Sequence, residues 1–203
     1  MTAADKILRI ILAAATLGAL VGCAALRHTP QADSTAIDSH AAPATGDYPT
    51  AIDALKAGND EEALKLFKAA AESHPEAAAP YVNIGLIELK QGNLHSAENA
   101  LLRAAALAPE QPEIYNGLGV VYRRMGRFDD AKDAYLKALD YDPDYANAHL
   151  NIGILYEIYL NDLNAAREHY ERYQALRSDG DDLVKKWLVD VKQRLARRGG
   201  ENE

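Results

Sequence analysis

Residues 78–111, AAPYVNIGLIELKQGNLHSAENALLRAAALAPEQ, are followed at 112–145 by PEIYNGLGVVYRRMGRFDDAKDAYLKALDYDPDY, and the two blocks align without a gap. Moving outward at the same spacing of 34, the columns extend to blocks beginning at Ala44 and Ala146. Gly58, Gly92 and Gly126 share a column, as do Ala63, Ala97 and Ala131, then Phe67, Leu101 and Tyr135, then Ala70, Ala104 and Ala138, then Pro75, Pro109 and Pro143. Near the block starts Tyr81 aligns with Tyr115, Ile84 with Leu118 and Ile152, Gly85 with Gly119 and Gly153, and Tyr122 with Tyr156. A fixed period of this length marks an array of small units, each burying its apolar face against the next.

Each column has a physical reason. The glycines at 58, 92 and 126 follow apolar-periodic runs at the place where a helix ends and a positive φ is wanted. The prolines stop one helix two or three residues before the next begins. Between these marks lie segments of about a dozen residues with apolar side chains at helical spacing, such as Tyr81, Ile84, Leu86, Ile87 and Leu89. Gly85, Gly119, Gly153, Ala97 and Ala131 are small where two antiparallel helices must come close.

The pattern resembles the tetratricopeptide repeat, a helix–turn–helix unit that stacks into a superhelix. The resemblance covers about residues 48–178 and implies an all-α solenoid of about four repeats. Its first copy departs from the pattern at Asp47, Thr50 and Ala51. Its fourth has His149 in the aromatic column and Leu160-Asn161-Asp162-Leu163 in place of the turn glycine. One added residue there restores the register and puts Ala166, Tyr170 and Tyr173 in the second-helix columns. Residues 179–198 read as a capping helix, with Leu183, Val184, Trp187, Leu188, Val191 and Leu195 on one side and Lys185, Lys186, Asp190, Lys192 and Arg194 on the other. Trp187 is expected on the face of the fourth repeat that would otherwise be open, with partner binding as its alternative. Arg197, Arg198 and the following glycines read as a frayed end.

The N-terminal part has a different character. All 11 tyrosines of the 203 residues lie at or after Tyr48. Lys6 and Arg9 precede a run without charge from Ile10 to Leu26, somewhat short for a permanent span and suited to a signal peptide. Leu20-Val21-Gly22-Cys23 resembles the lipobox of bacterial lipoproteins. That resemblance implies removal of residues 1–22 and acylation of the Cys23 sulfur and its freed amine. Two or three acyl chains give stable attachment where one gives marginal binding. Ala24, in place of an aspartate, implies the periplasmic face of the outer membrane, or the outer cell surface in a host with a single membrane. Residues 23–47, rich in Ala, Pro, Ser, Thr and Asp, read as a flexible tether, since they offer too little apolar surface to offset ordering.

Composition narrows the function. A net charge of −8 argues against nucleic acid as a partner. A single cysteine excludes an internal disulfide and a multi-cysteine metal site. Histidines at 28, 40, 74, 95, 149 and 169 form no HExxH, and neither a nucleophile elbow nor a phosphate loop is present. The acidic runs lack calcium-loop spacing and suit helix starts. The expectation is therefore no enzyme, no metal, no cofactor beyond the covalent lipid, and no small-molecule substrate.

What remains is a binding surface. In the family's arrays the first helix of each pair lines the concave side, which implies a groove carrying Val82, Leu86, Leu89, Lys90, Asn116, Val120, Arg123, Arg124, Leu150 and Ile154. The floor would be aliphatic, Asn116 central, and Lys90, Arg123 and Arg124 a positive edge. Val82, Leu86 and Val120 stand where carboxylate-clamping members carry lysine or asparagine, which counts against a clamp. The groove suits an apolar or amphipathic segment of another envelope protein, or else is filled by the chain's own tether or a second copy. The expected role is a membrane-anchored periplasmic adaptor. The alternatives are a pilotin-like factor carrying a subunit to the outer membrane, or an accessory module for a peptidoglycan enzyme.

Overall fold

Glycine and proline punctuation divides the chain where the columns require it. The computed structural model describes residues 46–177 and 180–200, the last two by backbone alone; the predicted leader 1–22, Cys23 and the tether through residue 45 lie outside them. Among the described residues there are nine helices and no strand: α1 Asp47–Lys56, α2 Asp60–Ser73, α3 Ala78–Gln91, α4 Leu94–Leu107, α5 Pro112–Arg124, α6 Phe128–Tyr141, α7 Ala146–Ile158, α8 Leu163–Leu176 and α9 Asp182–Gly200. The cap helix opens at Asp182, inside the stretch 179–198 read as a cap, and continues through the glycines read as frayed.

Local chemistry sets the ends. Helix α5 opens on Pro112, whose missing N–H costs nothing at a first turn, with Glu113 beside it, and closes on Arg123 and Arg124, so its charges complement the helix dipole. Helix α3 ends on Gly92 at φ 87°, a left-handed residue returning its N–H to the Leu89 carbonyl. In the fourth hairpin Asn161 takes that role at φ 53°, and the Asp162 side chain caps α8 by accepting from the Ala165 N–H at 3.0 Å. The inserted residue does restore the register: Ala166, Tyr170 and Tyr173 are all buried.

The helices pair as four hairpins, α1–α2, α3–α4, α5–α6 and α7–α8. Each second helix also packs on the first helix of the next pair, and α9 packs on α8. Within hairpins the small residues are obligatory. A Cβ on Gly85 would stand 2.6 Å from Leu101 Cγ, on Gly119 2.5 Å from Tyr135 Cδ1, and on Gly153 2.7 Å from Tyr170 Cε1. Between hairpins a polar ladder accompanies the apolar contact. Asn83 donates to the Tyr48 hydroxyl at 3.2 Å, and Asn151 donates to Asn116 Oδ1 at 2.9 Å, each joining neighbouring first helices.

The cap sits where the array would otherwise expose its last face. Ile154, Tyr170, Tyr173, Val184, Trp187 and Val191 form one buried cluster, and the Tyr170 and Trp187 rings lie 5.9 Å apart. Trp187 therefore packs on the fourth hairpin as expected.

Candidate functional site

The face formed by the first helices differs from the expected groove at both ends. Val82 and Ile154 are 0 % exposed and Leu89 3 %, so these three are core and not floor. Val82 and Leu89 share a cluster with Leu118 and Val121 of the next hairpin, while Ile154 shares one with Val184, Trp187 and Val191 of the cap. A repeat column keeps its direction, but its exposure depends on what the neighbouring element places over it. Leu86, Asn116, Val120 and Leu150 are partly buried, the three apolar ones against the neighbouring core. Asn116 is engaged by Asn151, so the supposed central donor is already part of the repeat-to-repeat ladder.

The positive edge is also committed to the fold. Arg124 donates from Nη1 to the Leu89 carbonyl, giving that oxygen at the end of α3 a second donor beside the Gly92 N–H across 35 residues of sequence. Lys90 pairs with Asp60 at 2.5 Å, with its side chain still largely solvated. Arg123 is half-buried beside Tyr135, with its Nε enclosed and unbonded among the described residues. Burial pushes the Tyr135 hydroxyl up to about 12 while the Arg123 charge pulls against it. What the face offers is thus a strip of Leu86, Val120 and Leu150 with Lys90 and Arg124 at one border. Its cations keep their charge for attraction but have part of their donor capacity spent.

Two polar constellations escaped the sequence reading. The first centres on Glu157, only 8 % exposed, which accepts from the Tyr170 hydroxyl at 2.9 Å and from Arg194 of the cap at 2.7 Å. Burial and the neighbouring carboxylate raise the Tyr170 pKa. The second is His149, whose Nε2 lies 3.0 Å from the Pro143 carbonyl and whose Nδ1 lies 3.0 Å from Nδ1 of His169. The available signals were slight: an acidic residue in an otherwise cationic or neutral column, and a histidine in an aromatic one.

Among the described residues no three His, Cys, Asp or Glu side chains gather as a metal site, and no helix is long and apolar enough to cross a membrane. On the outer side of α6, Asp133, Leu136, Lys137, Asp140 and Tyr141 line an open depression of about 510 Å³. It holds no hydrogen-bonded catalytic pair.

Hairpins of one length, the last three each closed by a glycine-relieved contact, stacked second helix on next first helix and covered by a cap, define a helical-repeat solenoid. The tetratricopeptide repeat family model matches residues 76–142 and 110–179, and the chain belongs to that family. A thermophilic repeat protein of the family from Thermus thermophilus is similar in structure at a TM-score of 0.62, with 21% identity over 74% of this chain and 82% of that one. MamA from Desulfovibrio magneticus is similar at 0.58, with 24% identity over 64% and 73%. At these identities the likeness shows the fold alone. No curated protein sequence matches the chain. Arrays of this family bind protein partners.

Proposed function

We propose that the chain is a lipid-anchored periplasmic adaptor holding another envelope protein on the face of its first helices. The observation that carries the reading is Leu86, Val120 and Leu150, partly buried on three successive first helices with the exposed Lys90 and Arg124 on the same helices. Aliphatic area of this kind favours an apolar or amphipathic segment, and the solvated cations favour acidic flanks on that segment. The anchor rests on Leu20-Val21-Gly22-Cys23, and outer-membrane retention rests on Ala24. Cys23 carries covalent lipid in this reading, and neither metal nor cofactor is needed.

Crosslinking and pull-down from solubilised envelopes test it, comparing wild type with Leu86→Glu and Val120→Glu. Both side chains are partly buried against the core, so retained helicity is part of the test, and both changes leave the Arg124 bond to Leu89 in place. Loss of the same partner from both variants, with helicity kept by circular dichroism, is the expected result; unchanged recovery refutes the face. Cys23→Ser should abolish palmitate labelling and leave unprocessed precursor. Normal maturation of that variant would remove the anchor from the proposal.

A further inference from the structure

We infer that His149 and His169 form an acid-operated latch. While neutral, the pair closes the last hairpin and thereby seats α9; once protonated, it lets α9 go and uncovers the apolar end of the array. The pair joins α7 to α8 within the hairpin on which α9 packs.

The bonding fixes the protons. A carbonyl only accepts, so the 3.0 Å contact to Pro143 requires hydrogen on His149 Nε2. Neutral His149 then has a bare Nδ1, and the 3.0 Å contact to His169 Nδ1 requires the hydrogen to come from His169. One proton more is a charge in a poorly hydrated place. Two more put hydrogens on both Nδ1 atoms, and the rings must part. The rings already lie 5.2 Å apart, with Tyr156 stacked on His169 at 5.7 Å and 11°, so parting them disturbs the packing between α7 and α8.

The surroundings supply no compensating carboxylate. From α7 the titratable groups are His149, Tyr156 and Glu157, the last occupied by Tyr170 and Arg194. From the α6–α7 turn Asp144 is bonded to Arg172. From the cap side Asp181 accepts from Tyr173, and Lys192 pairs with Glu171. Burial lowers the His169 pKa from 6.5 to about 4, and the only charge acting on it, that of His149, lowers it too. A base whose folded pKa is depressed stabilises the closed form above its ordinary pKa, and that stability is lost as pH falls from 6.5 towards 4. With His169 alone, the opening equilibrium rises between pH 8 and pH 5 by at most about thirty-fold, and by less to the extent that solvent screens its charge. A metal centre is a poorer use of the pair, since no third His, Cys, Asp or Glu joins it among the described residues.

The array contains its own control. Tyr115 stands in the His149 column and donates to the Pro109 carbonyl at 2.8 Å, and Ala134 stands in the His169 column. The variant His149→Tyr/His169→Ala rebuilds the third hairpin's arrangement in the fourth. Trp187, the single tryptophan, reports the seat of α9. In the full-length protein, titration from pH 8 to 4.5 should shift wild-type Trp emission to the red before ellipticity at 222 nm falls, and the double variant should stay flat. Unmoved wild-type emission overturns the latch, as does the same shift in the variant. Should the variant not fold, the wild-type histidine Cε1 proton signals decide: a pair titrating while Trp187 emission stays fixed also overturns it.

Discussion

Hairpins α5–α6 and α7–α8 have the same backbone plan and opposite polar chemistry. In both, a glycine lets a tyrosine of the second helix lie against the first: Gly119 under Tyr135, Gly153 under Tyr170. In both, one side chain of the first helix holds the preceding turn by its proline carbonyl, Tyr115 to Pro109 and His149 to Pro143. The columns diverge at the tyrosine hydroxyl. Tyr135 has the Arg123 guanidinium beside it and no hydrogen bond of normal geometry, whereas Tyr170 donates to Glu157, which stands in the Arg123 column. An inner hairpin is held on both sides by further hairpins. The last one meets a single helix, and its buried carboxylate draws Arg194 of that helix inward. Apolar repetition builds the stack, and a charged exception ends it.

The largest expected effect falls on that exception. Glu157→Ala leaves Tyr170 without its acceptor and Arg194 with only Asp190, 3.3 Å away. Breaking a buried pair from one side is costly, and the partial exposure of Arg194 reduces the penalty, so a loss of about 3 kcal/mol is expected in urea unfolding. Tyr170→Phe should cost about 1 kcal/mol, and Tyr135→Phe close to nothing, because only the former breaks a bond. Equal losses at the two tyrosines would erase the contrast between the hairpins.

The glycine contacts test what the hairpins share. Gly119→Ala places a methyl 2.5 Å from Cδ1 of a fully buried ring and closer still to its Cε1, and Gly153→Ala one 2.7 Å from Cε1 of its counterpart. Overpacking less the helical preference of alanine gives a net loss of about 2 kcal/mol at each site. Thermal unfolding of the two variants should show similar shifts. A shift at one alone would mean that the fourth hairpin is not packed like the third.

Most of this plan was legible because it is periodic. The glycines, the alanines at 97 and 131 and the apolar second-helix column are fixed by contacts inside one hairpin, which recur wherever the sequence does. Exposure was not legible at Val82, Leu89 and Ile154, since Leu118, Val121 and the cap decide it from another repeat. Arg124 looked like groove charge because its acceptor, the Leu89 carbonyl, is a backbone atom that no motif marks. His169 was silent for a similar reason: its partner lies across the hairpin, and neither residue belongs to a recognised spacing.

The smallest expected effect concerns the turns, where the two hairpin types reach one conformation by different residues. Gly92 and Gly126 take φ of 87° and 77°, and Asn161 takes φ 53°. Asparagine visits this region at modest cost because its short polar side chain bonds locally, while alanine meets its own Cβ there. Gly126→Ala should therefore lose about 1 kcal/mol, the backbone strain exceeding the entropy removed from the unfolded chain. Asn161→Gly has opposing terms, since glycine relieves the left-handed strain and loosens the unfolded chain, and the Asn161 amide oxygen also accepts from Arg198 of α9 at 2.9 Å. Relief of strain alone predicts stability within about 0.5 kcal/mol of wild type. Differential scanning calorimetry separates the two contributions when the substitution is repeated in an Arg198→Met background. If glycine is harmful only while Arg198 is present, Asn161 serves as a clasp for the cap, and the fourth turn departs from the others for the same reason that Glu157 does.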